Sequence, residues 1–439
     1  MTDRRDPDRT AASGCPFASS RRQLLLGLGS AAGGALALSV GAAKAEGTDG
    51  HQVTDAPAGD SQQAQVVPFY GPHQAGIVTP RPEAGLIVSF TVVAQTRDEV
   101  EDLFRRLTER AVFLTSGGKV PDVDPKLPPV ESGILGPDIA ADALTVTVGL
   151  GSSFFDDRDW LKPLKPKRLK TMVEFPNDAL DRDLCHGDLS IQFCANRADV
   201  NIHALRDLMK NLSDHLVIRW MQAGDVPVIP PKPDGSSESA RNFLGFRDGT
   251  ANPDAGDTAL MDRIVWVEAG KDEPEWAKGG SYQAVRIIRN FVERWDRTPL
   301  QEQETIFGRQ KASGAPFGGK VESDLPDYAG DPDGRLTPLD SHIRLANPRT
   351  ADTQANLILR RPFNYSNGVT KSGQLDQGLL FIAYQADLDQ GFITVQNRLN
   401  GEPLEEYIKP VGGGYFYVLP GVCCPGDYLG KTMMETLRA

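Results

Sequence analysis

A proline-rich stretch with two strand-then-helix pairs on each side constrains the fold of this 439-residue chain more than any other feature. On the N-terminal side, the apolar, β-branched run Gly85–Ala94 leads into Arg97–Leu114, where Val100, Leu103, Phe104, Leu107 and Ala111 fall at helical spacing. Leu189–Ala195 alternates like a strand, and Val200–Trp220 then carries Leu205, Leu208, Met209, Leu212, Leu216 and Trp220 on one helical face. On the C-terminal side, Tyr282–Trp295 reads as a long strand. Thr298-Pro299-Leu300-Gln301 opens a helix with cap, first-turn proline and capping-box partner in order. Gly378–Gln385 is a buried-type strand that leads to the helix Asp389–Leu399, and Leu144–Val148 and Met261–Glu268 add further strands. Residues 225–240 hold Pro227, Pro230, Pro231 and Pro233 and form the linker. This order predicts an α+β protein of two halves, residues 66–224 and 241–439, each a β-α-β-β-α-β unit.

The first 45 residues read as an address rather than as structure. Ser20-Arg21-Arg22-Gln23-Leu24-Leu25 opens a Gly/Ala/Leu-rich run to Val40, and Ala43-Lys44-Ala45 is a small-x-small cleavage site. Paired arginines before a weakly apolar run match the twin-arginine signal, so the chain is expected to be exported folded, to a periplasmic or extracellular space. Residues 46–65 are polar and small, as in a flexible tail. No other segment is long and apolar enough to span a bilayer. The formal charge is −12, and a chain this acidic is a poor partner for nucleic acid. Export would leave Cys185, Cys194, Cys423 and Cys424, whose pairing is open. There is no C-x-x-C-H, so covalent haem attachment is not indicated.

Three features could carry chemistry. Of six histidines, His51 lies in the tail, His203 and His215 on the predicted helix, and His73 and His186 in loop-like surroundings. His342 ends a long Gly/Pro/Asp-rich loop, Lys311–Leu345; loops of that length inside a compact domain are usually functional or disordered. The second feature is Gly245-Phe246-Arg247-Asp248-Gly249-Thr250-Ala251-Asn252-Pro253, where flexible glycines can point the aspartate into a cavity. It also reads as an ordinary turn, and Asp248, Asn252, Asp254 and Asp257 do not have EF-hand spacing. The third is Leu359-Arg360-Arg361-Pro362, a basic pair at a strand end.

Taken together these segments resemble the DyP-type (dye-decolourising) haem peroxidases. Gly245–Pro253 is similar to that family's glycine-x-x-aspartate-glycine signature, and Asp340–Arg349 with Arg360 to its proximal-histidine and distal-arginine segment. Gly378–Leu399 and Gly412–Pro420 resemble its C-terminal end. The twin-arginine leader, His73-Gln74-Ala75-Gly76-Ile77 and Cys185-His186-Gly187-Asp188-Leu189 point to the EfeB subgroup.

The resemblance implies two ferredoxin-like halves (the dimeric α/β-barrel-like superfamily), with non-covalent haem b in the C-terminal one. It makes His342 the axial iron ligand, Asp248 the distal acid–base residue and Arg360 the distal arginine. Gly249, Thr250, Ala251, Asn347, Pro348 and Arg349 would run along the haem, with Arg349 or Arg344 meeting a propionate. Some relatives carry a distal asparagine where Pro362 stands here. A carboxylate bonded to the axial imidazole would make it a stronger donor. Asp387, just after the strand Gly378–Gln385, is the expected choice, the alternative being a cap on Asp389–Leu399.

An aspartate base works ionised, so activity at acidic pH is expected. The implied partners are hydrogen peroxide, small organic reductants or haem, proteins of iron uptake, and a second copy in a homodimer. The implied activity is peroxide-dependent oxidation of phenols, dyes or porphyrins. The alternatives are a deferrochelatase, which frees iron from haem with protoporphyrin intact, and a non-enzymatic haem or iron carrier. Trp160, Trp220, Trp266, Trp276 and Trp295 are candidate oxidation sites if they prove to be exposed.

Overall fold

The structure, a computed structural model, describes residues 65–437 apart from 234, 236, 237, 269 and 271. The twin-arginine leader, its cleavage site, Cys15, His51 and the tail up to residue 64 lie outside the described residues.

In the N-terminal half, β1 (Ala84–Val92) feeds α1 (Arg97–Ser116), and β2 (Thr145–Gly151) and β3 (Leu189–Ala195) precede α2 (Ala198–Asn211) and β4 (Leu216–Asp225). Thr96 and Glu99 form a reciprocal capping box that fixes where α1 starts. The C-terminal half repeats the order. It holds β5 (Ser281–Asn290), α3 (Leu300–Phe307), the short α4 (His342–Ala346), β6 (Phe363–Val369), β7 (Leu375–Gln385), a π-turn running into α5 (Thr394–Leu399), and β8 (Ile408–Val418). Each half is a four-stranded antiparallel sheet, ordered β2-β3-β1-β4 and β8-β5-β7-β6. β8 pairs with β2 over three residues, and β4 meets β6 at Asp225 and Asn364, so the eight strands form one closed ring.

Alternation along the strands sorts side chains to two faces. Ile87, Cys194, Val285, Ile287, Leu380, Ile382, Phe416 and Val418 point into the ring and form one core. Leu86, Val88, Phe90, Leu189, Ile191 and Phe193 point outward, against Val100, Leu103, Phe104, Leu107 and Ala111 of α1 and Ala204 and Leu208 of α2.

Several elements differ from the sequence expectation. The expected helix Val200–Trp220 ends at Asn211, and Leu216 and Trp220 belong to β4. Leu216 packs in the outward core and Trp220 in the core inside the ring, because a bulge opposite Ser89 and Phe90 switches the strand's face between them. Tyr282–Trp295 divides into β5 and a helical turn, Val292–Trp295. Met261–Glu268 is not a strand: a helix over Thr258–Ile264 occupies its start, capped by the Asp257 carboxylate on the Leu260 N–H. Thr298 does not cap α3; its hydroxyl donates to Arg294 O and Tyr407 Oη. No disulfide links the four cysteines among the described residues: Cys185 and Cys194 are buried, and Cys423 and Cys424 are exposed. Among the described residues no helix is long and apolar enough to cross a membrane. Of the five tryptophans only Trp160 is partly exposed, and the others are buried.

Candidate functional site

The outward face of the C-terminal sheet is not sealed as the N-terminal one is. Arg286, Ile288 and Asn290 of β5 and Leu379 and Phe381 of β7 line a cavity there, closed on its other sides by Phe246–Ala251, Phe307, His342, Ile343, Asn347, Arg349, Arg360, Val395 and Leu399. Within it the centre of a water molecule can range over about 260 Å³. One water needs roughly 10–15 Å³ by the same measure, so the space suits a ligand of many atoms.

His342 opens α4, directly after the buried Ser341. Gly308, at the end of α3, lets this segment approach closely: its φ is +83°, and a Cβ there would lie 2.9 Å from Ser341 Oγ and Ile343 Cγ1. The His342 side chain keeps 31% of its surface open yet lines the cavity wall. Nδ1 bonds Glu402 Oε2 at 2.8 Å, and the Glu402 side chain is 3% exposed. Burial opposes the charged imidazole, but the Glu402 carboxylate outweighs it and raises the His342 pKa. Nε2 has no hydrogen-bond partner among the described residues.

Asp248 and Arg360 meet in the same cavity, where Arg360 Nη1 donates to Asp248 Oδ1 at 3.2 Å and Nη2 to Thr250 O at 3.0 Å. Both lie near enough to His342 for their charges to act on it. Gly249 takes a φ of +137°, and Ala251 follows at +59°, so the loop carries Asp248 inward through a conformation L-residues seldom adopt. Thr250 Oγ1 donates to Glu322 Oε1 at 2.6 Å, which ties this loop to the long loop before α4.

Gly249, Thr250, Ala251, Asn347 and Arg349 also line the cavity, and Pro348 does not. Arg344 faces elsewhere, bonded to Asp331 and Thr337 O, which leaves Arg349 as the arginine of that segment on the cavity. Contrary to the expectation from the sequence, Asp387 does not bond the imidazole; Glu402 does. Asp387 Oδ1 accepts the N–H groups of Asp389 and Gln390, and its Oδ2 pairs with Arg168. The helix start competes for this carboxylate and wins, because it offers two backbone donors within three residues. Sequence reasoning missed Glu402, which lies 60 residues from His342 in a Gly-Glu-Pro turn that carries no local sign of a partner.

A planar, largely apolar cofactor with acidic side arms fits this set of groups. Phe307, Ile343, Leu379, Phe381, Phe392, Val395, Leu399 and Leu404 supply apolar wall, His342 Nε2 supplies a donor fixed in direction, and Arg349 supplies a cation.

Family models described as the N-terminal and C-terminal parts of Dyp-type peroxidase match residues 74–224 and 239–423. The chain is 52% identical over 429 residues to the deferrochelatase of Yersinia pseudotuberculosis, covering 98% of this chain and 97% of that protein. It is 54% identical over 417 residues to the deferrochelatase of Escherichia coli O6:K15:H31, covering 95% and 97%. Among solved structures, it is similar to the DyP-type peroxidase of Cellulomonas bogoriensis, with a TM-score of 0.75, 34% identity, and 85% of this chain and 99% of that one covered. The ferric form of DtpA from Streptomyces lividans gives a TM-score of 0.75 at 32% identity, with 85% and 98% covered.

Proposed function

The chain belongs to the DyP-type peroxidase family, and on that premise we propose that it binds haem b in the cavity and uses hydrogen peroxide to oxidise organic donors. The observation that carries this reading is His342, whose Nδ1 is held by a buried carboxylate while Nε2 faces a cavity shared with Asp248 and Arg360. His342 would hold the iron, the apolar wall the macrocycle, and Arg349 a propionate; Arg344, turned toward Asp331, would not. Bound haem supplies the electrons that cleave peroxide.

The chain's own residues handle protons and charge. Asp248 can take the proton from one oxygen of hydrogen peroxide and return it to the other. Arg360 donates to Asp248, so the carboxylate has a fixed direction, and its guanidinium stabilises negative charge as the O–O bond lengthens. Glu402 holds His342 in one tautomer, with the proton on Nδ1 and the lone pair on Nε2. Phe381 and Leu379 keep bulk water from the wall beside them.

A second reading has its own support. The relatives at 52% and 54% identity are deferrochelatases, which favours removal of iron from haem with the porphyrin kept whole. Export by the twin-arginine route, assembly as a homodimer and contact with iron-uptake proteins belong to the same proposal, supported by the leader motif and the family resemblance.

Loading the protein with haem and mixing it with peroxide and a phenol tests the first reading. Asp248→Asn should keep haem and consume peroxide about 10²- to 10⁴-fold more slowly. A wild-type rate in that variant would refute the role given to Asp248. Mass spectrometry of the porphyrin recovered from the same incubations decides between the readings, since metal-free protoporphyrin appears only under the second.

A further inference from the structure

Asn252 is used by neither reading, and both ends of its carboxamide are committed to the backbone of one residue, Arg360. Nδ2 donates to Arg360 O at 2.9 Å, and Oδ1 accepts from Arg360 N at 2.9 Å. This is the pattern of a β-ladder, made by a side chain on the backbone of the residue whose guanidinium reaches Asp248. Both polar ends are thus engaged with Arg360, and no group of three or more His, Cys, Asp or Glu side chains placed to hold a metal occurs among the described residues. Arg360 and the loop 248–252 are thus joined three ways: guanidinium to Asp248, guanidinium to Thr250 O, and backbone to Asn252.

The joint lies next to strain. Ala251, the residue before Asn252, holds a φ of +59°, and Gly249 one of +137°. A non-glycine residue stays in the left-handed region only where its surroundings over-determine it. The Asn252 N–H bonds Gly249 O at 3.1 Å, so the same residue closes the turn from inside and anchors it from outside. Without the clamp, the loop can relax at Ala251, and the Asp248 carboxylate moves relative to the Arg360 guanidinium.

We propose that Asn252 is a positioning residue: its carboxamide, by gripping both the N–H and the C=O of Arg360, sets the spacing of Asp248 and Arg360 that peroxide cleavage needs. The inference rests on the peroxidase reading of the cavity. Displacing a reacting group by about 1 Å costs on the order of a hundredfold in rate.

The test compares haem-loaded wild type, Asn252→Ala and Asn252→Asp. Asn252→Ala should react with hydrogen peroxide about a hundredfold more slowly. Its haem affinity should stay near the wild-type value, because His342 and the apolar wall are untouched. Asn252→Asp can still accept from the Arg360 N–H but sets a carboxylate against the Arg360 carbonyl. Its rate relative to wild type should therefore recover as pH falls from about 6 to about 4, where the new carboxyl gains a proton and donates again. Asp248 and Arg360, the charged groups linked to it, are present in all three proteins, and Asn252→Ala, which has no carboxyl at position 252, is the reference for their own titration. Asn252→Ala should show no such recovery.

Peroxide rates in Asn252→Ala within about threefold of wild type would overturn the inference while leaving the peroxidase reading intact. So would a flat pH ratio for Asn252→Asp, or a rate loss that merely follows lost haem. A wild type that takes up no haem would overturn both.

Discussion

The two halves share one plan and differ in what covers the sheet. In the N-terminal half, α1 runs twenty residues and α2 fourteen, and together they press a continuous apolar face onto β1, β2 and β3. In the C-terminal half the corresponding helices are α3, with eight residues, and α5, with six after a π-turn. The long loop before His342 and the five-residue α4 take up the remaining cover. The outward face of β1 bears Leu86, Val88 and Phe90, whereas that of β5 bears Arg286 and Asn290 beside Ile288. Where helix cover is withdrawn, polar and charged side chains need not find partners in a dry core, and a cavity replaces the core. Arg286 still needs compensation, and it bonds the buried Asp178 from the N-terminal half.

Truncating a matched pair of phenylalanines should give the largest effect and would break the comparison if it failed. Phe104→Ala, in the sealed half, should cost about 3–5 kcal/mol of unfolding free energy, because the hole it leaves is walled by packed side chains. Phe381→Ala, on the cavity wall, should cost less than about half of that and instead weaken haem binding. Chemical denaturation of the unloaded proteins measures both, and equal losses would mean that the two faces are packed alike.

A smaller effect sharpens the comparison through two histidines, buried His203 and half-buried His342, whose pKa values shift in opposite directions. His203 of α2 bonds Ser132 Oγ at 2.8 Å, and burial pushes its pKa below the usual value despite Glu131 nearby. His342 is raised, because the contact with Glu402 exceeds the cost of burial. The unfolded chain therefore takes up a proton at position 203 near pH 6.5 before the folded one does. Stability from the N-terminal half should fall as pH drops through that value and level off below the folded pKa. His203→Gln should flatten this part of the profile, as read from denaturant midpoints between pH 7.5 and pH 5. An unchanged slope would show that position 203 does not drive it.

Much of this contrast was legible in the sequence, for physical reasons that differ by region. α1 was readable because its apolar spacing and capping box are local. Asp248, His342 and Arg360 stood out because each lies in a short motif whose glycine, proline or loop context marks an exposed or constrained backbone. Glu402 was not legible, since its partner is 60 residues away and the fold alone brings them together. Asp387 misled for the converse reason: it follows a strand as expected, but the adjacent helix start takes its carboxylate. Nor does closure of the ring between β8 and β2 leave a mark in either strand, because any two alternating strands can pair.

The central claim is that the uncovered face of the second half is a haem site organised on His342. Titrating unloaded wild type and His342→Ala with iron protoporphyrin, followed by the Soret absorption band, tests it most directly. Wild type should bind one equivalent with the spectrum of a histidine-ligated ferric haem, and His342→Ala should lose most of that occupancy. A wild type that stays colourless, or a variant that binds as tightly with the same spectrum, would contradict it.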